Sequence, residues 1–329
     1  MARRSETMTD SDSTAPVAER NTRAFLDALN SSGGPPMETL SPTEARAVLT
    51  SAQTSVPVAL PPAEVVKKTI TVDGEAIRLF IVRPAGATGT LPAFIFFHGG
   101  GWVIGDFPTH ERLVRDLVSY SGAAAVFVEY ERAPEAPYPV ALNQAYAATQ
   151  WAAEHGAEIG VDPARLAVVG NSVGGNLAAA VALRAAHEDG PRLRHQVLFW
   201  PVTNARFDTG SYEQFAEGHF LTREMMKWFW NSCAPDEAKR SDIYASPLRA
   251  TLEQLEGLPP ALVQTAELDV LRDEGEAYAR KLDEAGVEVV SLRVGGMIHD
   301  YGMLNPLSQI PAVQAALRQA ADEIRRHLA

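Results

Sequence analysis

Residues 166–186 begin Leu166-Ala167-Val168-Val169, continue through Gly170-Asn171-Ser172-Val173-Gly174-Gly175, and end with Asn176 to Ala186 (NLAAAVALRAA). The apolar run reads as a buried strand, and the Ala- and Leu-rich run reads as a helix. The turn between them must be sharp. It lifts the Ser172 side chain clear of a sheet, holds Ser172 in a strained backbone conformation, and needs small residues on either side so that strand and helix can approach. Gly170 and Gly174 meet that need. The pentapeptide G-x-S-x-G alone is weak, because glycine and serine are common in ordinary turns. Its meaning rests on the flanking strand and helix, and on whether the chain supplies a base, an acid and oxyanion donors in the right order.

Working outward, the same alternation of apolar strand and helix recurs from Leu91 onward. Strands are expected at 93–97 (AFIFF), 124–130 (AAVFVEY), 166–170, 196–202, 261–268 and 287–294, with helices near 109–120, 139–155, 173–187, 273–285 and 311–328. Strands apolar on both faces and separated by helices predict an α/β fold with a mostly parallel sheet covered on both sides. In such sheets functional groups gather at the carboxyl ends of the strands. Before this region, Val65 to Arg83 reads as an antiparallel hairpin turning at Val72-Asp73-Gly74-Glu75. Residues 1–17 are polar and expected to be disordered. Two short helices follow within 18–52, the second opened by Ser41-Pro42-Thr43-Glu44 as a capping box with proline at its first position. The main domain is expected to span 53–202 and 242–329. The segment 203–241 breaks the alternation: no strand is apparent, and aromatic and methionine residues crowd it from Tyr212 to Trp230. Part of it must be an ordinary buried helix. Its size and position after a strand suggest a lid formed with the N-terminal helices.

The bulk properties exclude several classes. The 329 residues carry a formal net charge of −12 and no basic patch, which argues against binding a nucleic-acid backbone. The one cysteine, Cys233, excludes an intramolecular disulfide or a cysteine-based zinc site and reads best as a small buried hydrophobe. The amino terminus has arginines but no apolar core after them, and no uninterrupted apolar run has membrane-spanning length. A cytoplasmic protein that does not engage a membrane is expected.

A serine hydroxyl is a poor nucleophile at neutral pH and needs a neighbouring base. In this kind of sheet the chain order is Ser, acid, His. Of the eight histidines, His299 and His327 follow the last good acid candidate, and His327 sits on a polar face of the terminal helix. His299 follows a strand and Gly295-Gly296, in a loop able to turn back toward the strand ends, so it is the base by elimination. The competing reading is a surface loop histidine. Asp269 ends the strand 261–268 and is favoured as acid. Asp273 is better explained as a helix cap paired with Glu276, and Glu267 is expected to point away. His98-Gly99-Gly100-Gly101-Trp102 directly follows the strand 93–97. Three consecutive glycines allow backbone N–H groups to converge on one point, and each such donor can contribute ~3 kcal/mol to a developing oxyanion. Neither phosphate-loop nor dinucleotide-loop spacing is present. His98 is expected to hold this loop in shape.

In order, HGGGW at 98–102, VEYERAPEAPYP at 128–139, GNSVGGN at 170–176, DIYASPL at 242–248, LDVLRDE at 268–274 and GMIHDY at 296–301 resemble the hormone-sensitive-lipase-like carboxylesterases of the α/β-hydrolase fold. The resemblance runs from about Leu91 to the end. It implies Ser172 as nucleophile, Asp269 as acid, His299 as base, and the N–H groups of Gly100, Gly101 and Val173 as oxyanion hole. It also implies a cap built from the N-terminal helices and 203–241, and it would suit a homodimer through the strand 287–294. The group usually has Asp or Thr and then Ser-Ala where this chain has Asn171-Ser172-Val173. Val270 replaces a usual proline, and Asp300 and Tyr301 stand where Gly and Phe are common. Val173 and Tyr301 are expected to alter pocket width and polarity. Asp300, beside His299, is a candidate modifier of its pKa in a direction that sequence does not specify.

These residues predict hydrolysis of short- to medium-chain esters through an acyl-enzyme, with no metal or cofactor. Trp102, Phe220, Leu221, Ile298 and Tyr301 are candidate pocket walls, since they adjoin the motifs or lie in the cap segment. The rivals are an amidase or lactonase on the same triad, separable by matched ester and anilide assays, and a non-catalytic receptor, which would be expected to lack the base or acid.

Overall fold

A computed structural model describes residues 16–329, so the expectation for the tail 1–17 falls almost wholly outside the described residues. In chain order the elements are α1 (Arg20–Ser31), α2 (Pro42–Thr54), β1 (Ala63–Val72), β2 (Glu75–Pro84), β3 (Leu91–Phe97), α3 (Phe107–Ser121), β4 (Ala124–Glu129), α4 (Val140–His155), β5 (Val161–Asn171), α5 (Val173–His187) and β6 (Leu193–Phe199). Then come α6 (Gly210–Gln214), α7 (Arg223–Cys233), α8 (Leu252–Leu255), β7 (Ala261–Leu268), α9 (Arg272–Glu284), β8 (Val289–Ile298) and α10 (Pro311–Leu328).

The strands form one eight-stranded sheet in the order β1-β2-β4-β3-β5-β6-β7-β8. β2 pairs antiparallel with both β1 and β4, and every other pairing is parallel. The central strands are apolar on both faces because helices cover both. Phe94 to Phe97, Ala124 to Val128 and Leu166 to Val169 are all fully buried. The outer strand β1 alternates partly buried and exposed residues instead. The β1–β2 hairpin turns at Asp73-Gly74, both with positive φ, the geometry a two-residue hairpin requires.

Three local expectations are corrected. β6 stops at Phe199 rather than running to Val202, because Trp200 takes a φ of 35° and leaves the strand. Gly295 and Gly296 belong to β8, with Gly296 at φ 70° beside a register shift against β7. That irregularity, where a flexible glycine absorbs an extra residue, carries Met297 and Ile298 on toward the sheet's carboxyl edge. Asp273 and Glu276 do not cap α9. The cap position is Leu271 and makes no side-chain bond; Asp273 accepts from the Ser211 N–H at 2.7 Å, while Glu276 pairs with Arg293 at 2.7 Å.

Segment 203–241 contains α6 and α7 and no strand. It meets the N-terminal helices directly: Phe25 and Phe220 have ring centroids 6.2 Å apart, and Asn30 Nδ2 donates to the Gly218 carbonyl at 3.1 Å. Helix α2 begins with the expected capping box, Ser41 with Glu44. Its Arg46 reaches the loops after β3 and β4, donating to the carbonyls of Val103 (2.8 Å) and Ala133 (3.1 Å) and pairing with Glu135. Among the described residues, no helix is long and apolar enough to cross a membrane.

Candidate active site

The site is assembled at the carboxyl ends of β3, β5, β7 and β8. β5 runs into α5 through Ser172, whose φ of 57° and ψ of −122° lie outside the regions an L-residue prefers. Neighbouring strands hold that strain in place: the Ser172 N–H donates to the Phe199 carbonyl at 2.9 Å, and its own carbonyl accepts from Asn176 and Val202. A Cβ on Gly170 would collide with the Gly174 carbonyl, and one on Gly174 with the Phe97 carbonyl. Both glycines are therefore required for the close approach read from the sequence.

Three buried side chains scattered along the chain converge here. His299 Nε2 lies 2.9 Å from Ser172 Oγ, and His299 Nδ1 lies 2.7 Å from Asp269 Oδ2. The second Asp269 oxygen accepts from the Leu271 N–H at 3.0 Å, which fixes the carboxylate plane. Burial of the imidazole disfavours its charged form. The carboxylates of Asp269 first and Asp300 second outweigh that, so the His299 pKa stands above the ordinary 6.5.

The glycine loop passes beside Ser172. Gly100 and Gly101 have φ of 108° and 62°, and the turn closes through Ile104 N–H to the Gly100 carbonyl at 2.8 Å. Among the described residues the N–H groups of Gly100 and Gly101 find no protein acceptor, and Val173, first in α5, has no partner inside its helix. Such donors at a helix start suit a developing negative charge. His98 lies beneath the loop, stacked on Tyr130 at 4.1 Å, and the Tyr130 hydroxyl donates to the His98 carbonyl at 2.8 Å. Burial, reinforced by the charge of His110, holds the His98 pKa well below the imidazole range, in keeping with a shape-holding role.

Of the five pocket-wall candidates, Trp102 lines a small cavity between α7 and α5 together with Tyr138, Leu142, Asn176, Leu177 and Trp230. Its indole meets that of Trp230 edge-on at 4.8 Å, and the water-accessible space left is about 10 Å³, room for roughly one water. Phe220 and Leu221 lie on the loop leading into α7. Ile298 and Tyr301 flank His299 in the core, with the Tyr301 ring 4.4 Å from that of Trp200 and its hydroxyl donating to Gln264. Cys233 shares the Trp102 cavity, and burial pushes its thiol up to about 12, so it is an unreactive lining group.

Sequence reasoning passed over several residues that hold this geometry. Asn176 donates to the carbonyls of Val202 (3.0 Å) and Ala245 (2.9 Å), pinning both stems of the 203–241 segment to α5. Buried Glu274 accepts from the N–H groups of Thr203 (2.6 Å) and Asn204 (3.1 Å), and burial pushes its pKa up to about 8. The only signal for either was membership of a quoted motif. Among the described residues the one cluster of metal-ligand side chains is His195, near the start of β6, with Glu323 and His327 at the end of α10. Arg326 Nη2 already bonds both Glu323 and His327 there, and the two imidazoles are stacked face to face with centroids 4.2 Å apart.

Residues 94–303 match the family described as alpha/beta hydrolase fold. Carboxylesterase NlhH of Mycobacterium tuberculosis is 35% identical over 274 residues, 83% of this chain and 85% of that protein. The ethyl acetate hydrolase of Pseudomonas putida is 34% identical over 261 residues, 78% of this chain and 81% of its own length. The crystal structure of a thermostable esterase from Pseudomonas putida ECU1011 superposes with a TM-score of 0.95 at 65% identity, over 96% of this chain and 99% of that one. The shared architecture and these likenesses establish that the chain belongs to the α/β-hydrolase fold family, in its hormone-sensitive-lipase-like branch.

Proposed function

We propose that this protein is a serine carboxylesterase that hydrolyses small carboxylic esters through an acyl-enzyme on Ser172. The observation carrying the proposal is the continuous chain Asp269–His299–Ser172, with contacts of 2.7 and 2.9 Å, beside unpartnered loop amides. Neutral His299, its Nδ1–H donated to Asp269, accepts the Ser172 proton at Nε2 as Oγ attacks the ester carbonyl. Negative charge grows on the carbonyl oxygen, where the N–H groups of Gly100, Gly101 and Val173 receive it; each donor is worth ~3 kcal/mol in the transition state. His299 then passes its proton to the alkoxide as the C–O bond breaks. Water repeats the sequence on the acyl-enzyme: His299 takes a water proton, hydroxide adds to the acyl carbon, and Ser172 leaves protonated. The protein's own groups supply every proton transfer.

In this reading α1, α2 and 203–241 form the cap, and Trp102, Phe220, Leu221, Ile298 and Tyr301 belong to the pocket wall or its backing. The small ester named for the Pseudomonas relative favours short to medium acyl chains. An amidase or lactonase would use the same triad, with leaving-group preference set by the pocket. A cytoplasmic setting suits the unpaired, buried Cys233, and pairing of exposed β8 edges would give a homodimer, measurable by sedimentation. The decisive test compares wild type and Ser172→Ala across p-nitrophenyl esters of increasing chain length, with the matched anilide in parallel. Full activity in Ser172→Ala would defeat the mechanism. Greater activity on the hexadecanoate than on the butanoate would defeat the size argument.

A further inference from the structure

We propose that Asp300 is a positioning residue, a second carboxylate that ties the nucleophile turn, the oxyanion loop and the end of β6 to the His299 imidazole. The inference rests on the triad reading above. Asp300 is almost fully buried, in a left-handed backbone conformation (φ 60°), directly after His299. Its Oδ1 accepts from Asn171 Nδ2 at 2.9 Å and from Trp200 Nε1 at 2.7 Å. Its Oδ2 stands 3.9 Å from His299 Nε2, the nitrogen facing Ser172. Asn171 in turn accepts the Gly99 N–H at 3.0 Å through Oδ1. One carboxylate therefore reaches the residue before Ser172, through it the first residue of the glycine loop, and the side chain just past the end of β6.

A buried carboxylate held by two neutral donors is costly to desolvate, and Asn171 and Trp200 offset only part of that. What recovers the cost is an adjacent positive charge, and the imidazolium formed during acyl transfer is that charge. Other charged or titratable groups pack around the pair. Asp269 faces His299 from the end of β7, with Glu274 and Tyr212 behind it. His110 faces Asp300 from α3, and Arg112, paired with Asp116 on the same helix, donates to the carbonyls of Gly302 and Met303. Tyr301 lies beside Asp300 but gives its proton to Gln264. None of these replaces a carboxylate on the Nε2 side of the ring.

The two parts of the role separate experimentally. Asp300→Asn leaves an oxygen able to accept from Asn171 and Trp200 but removes the charge. We expect the acid limb of its kcat/KM–pH profile to move down by about one unit. One unit below the wild-type midpoint, its activity relative to its own plateau then rises about fivefold over wild type. Asn171→Ala keeps the charge and cuts the link to Gly99, so we expect kcat to fall about tenfold with KM and the acid limb little changed. An unmoved acid limb in Asp300→Asn, or full kcat in Asn171→Ala, overturns the assignment. If Asp300→Asn does not fold, the Asn171→Ala kinetics and the Trp200→Phe acid limb, expected to stay in place because the charge remains, decide it. Ser172→Ala serves as the control: activity there would overturn the triad itself, whereas an inactive Ser172→Ala with an unshifted Asp300→Asn overturns only this inference.

Discussion

Gly101→Ala is the substitution whose consequence the geometry specifies most sharply. Gly101 has a φ of 62°, and a Cβ built on it would land inside the ring of Phe229. Phe229 lies on α7 and is itself 3% exposed, so its ring has no solvent to move into. Either α7 shifts outward or the loop tilts and takes the Gly101 N–H away from the oxyanion position proposed for it. The left-handed backbone adds about 1 kcal/mol for any residue with a Cβ. Loss of one oxyanion donor is worth about 2.7–4 kcal/mol, or roughly 10² to 10³ in kcat. The assay is steady-state hydrolysis of p-nitrophenyl butanoate, with active sites counted by burst titration so that misfolded protein is not mistaken for slow protein. The double variant Gly101→Ala/Phe229→Ala opens space for the methyl group and should recover much of the lost kcat while lowering the melting temperature, since Phe229→Ala leaves a cavity. A Gly101→Ala enzyme within threefold of wild-type kcat, or a double variant slower than the single one, would refute the argument that this amide is held in place by the packing of α7 against it.

Other consequences follow from the same structure. In the proposed mechanism the neutral imidazole is the base, and the His299 pKa lies above 6.5, so kcat/KM should fall as pH drops, with its midpoint above 6.5; a midpoint below that value contradicts the carboxylate pairing. Glu274 has a folded pKa of about 8 against 4.5 for an unperturbed glutamate, so between those values the folded state binds more protons and stability declines as pH rises. Glu274→Gln should remove that decline, its melting temperature gaining on wild type from pH 5 to pH 9; parallel melting curves would count against it. Arg46→Ala removes the donor to Val103 and Ala133 and should lower kcat several-fold on all esters alike, visible as a uniform drop across the chain-length series. Trp102→Ala enlarges the cavity shared with Trp230 and should raise octanoate activity relative to acetate; an unchanged ratio removes Trp102 from the acyl wall.

Much of the fold could be read from the chain because its causes are local. Short apolar runs such as Phe94 to Phe97 and Leu166 to Val169, followed closely by glycines, read as strands buried on both faces, and the glycines around Ser172 serve a close approach within a few residues. The order of nucleophile, acid and base expected for that topology put Ser172, Asp269 and His299 forward together, and the structure brings their side chains within hydrogen-bond reach. Tertiary structure alone decided what depends on segments far apart in sequence meeting at the strand ends. Asp300 touches Asn171 from 129 positions away and Trp200 from 100, and Glu274 holds Thr203 from 71. The direction of the Asp300 effect, the early end of β6 and the partner of Asp273 all turned on the same fact. A side chain's partner at a sheet edge is set by which loops arrive there, and hydrophobic periodicity carries no information about that arrival.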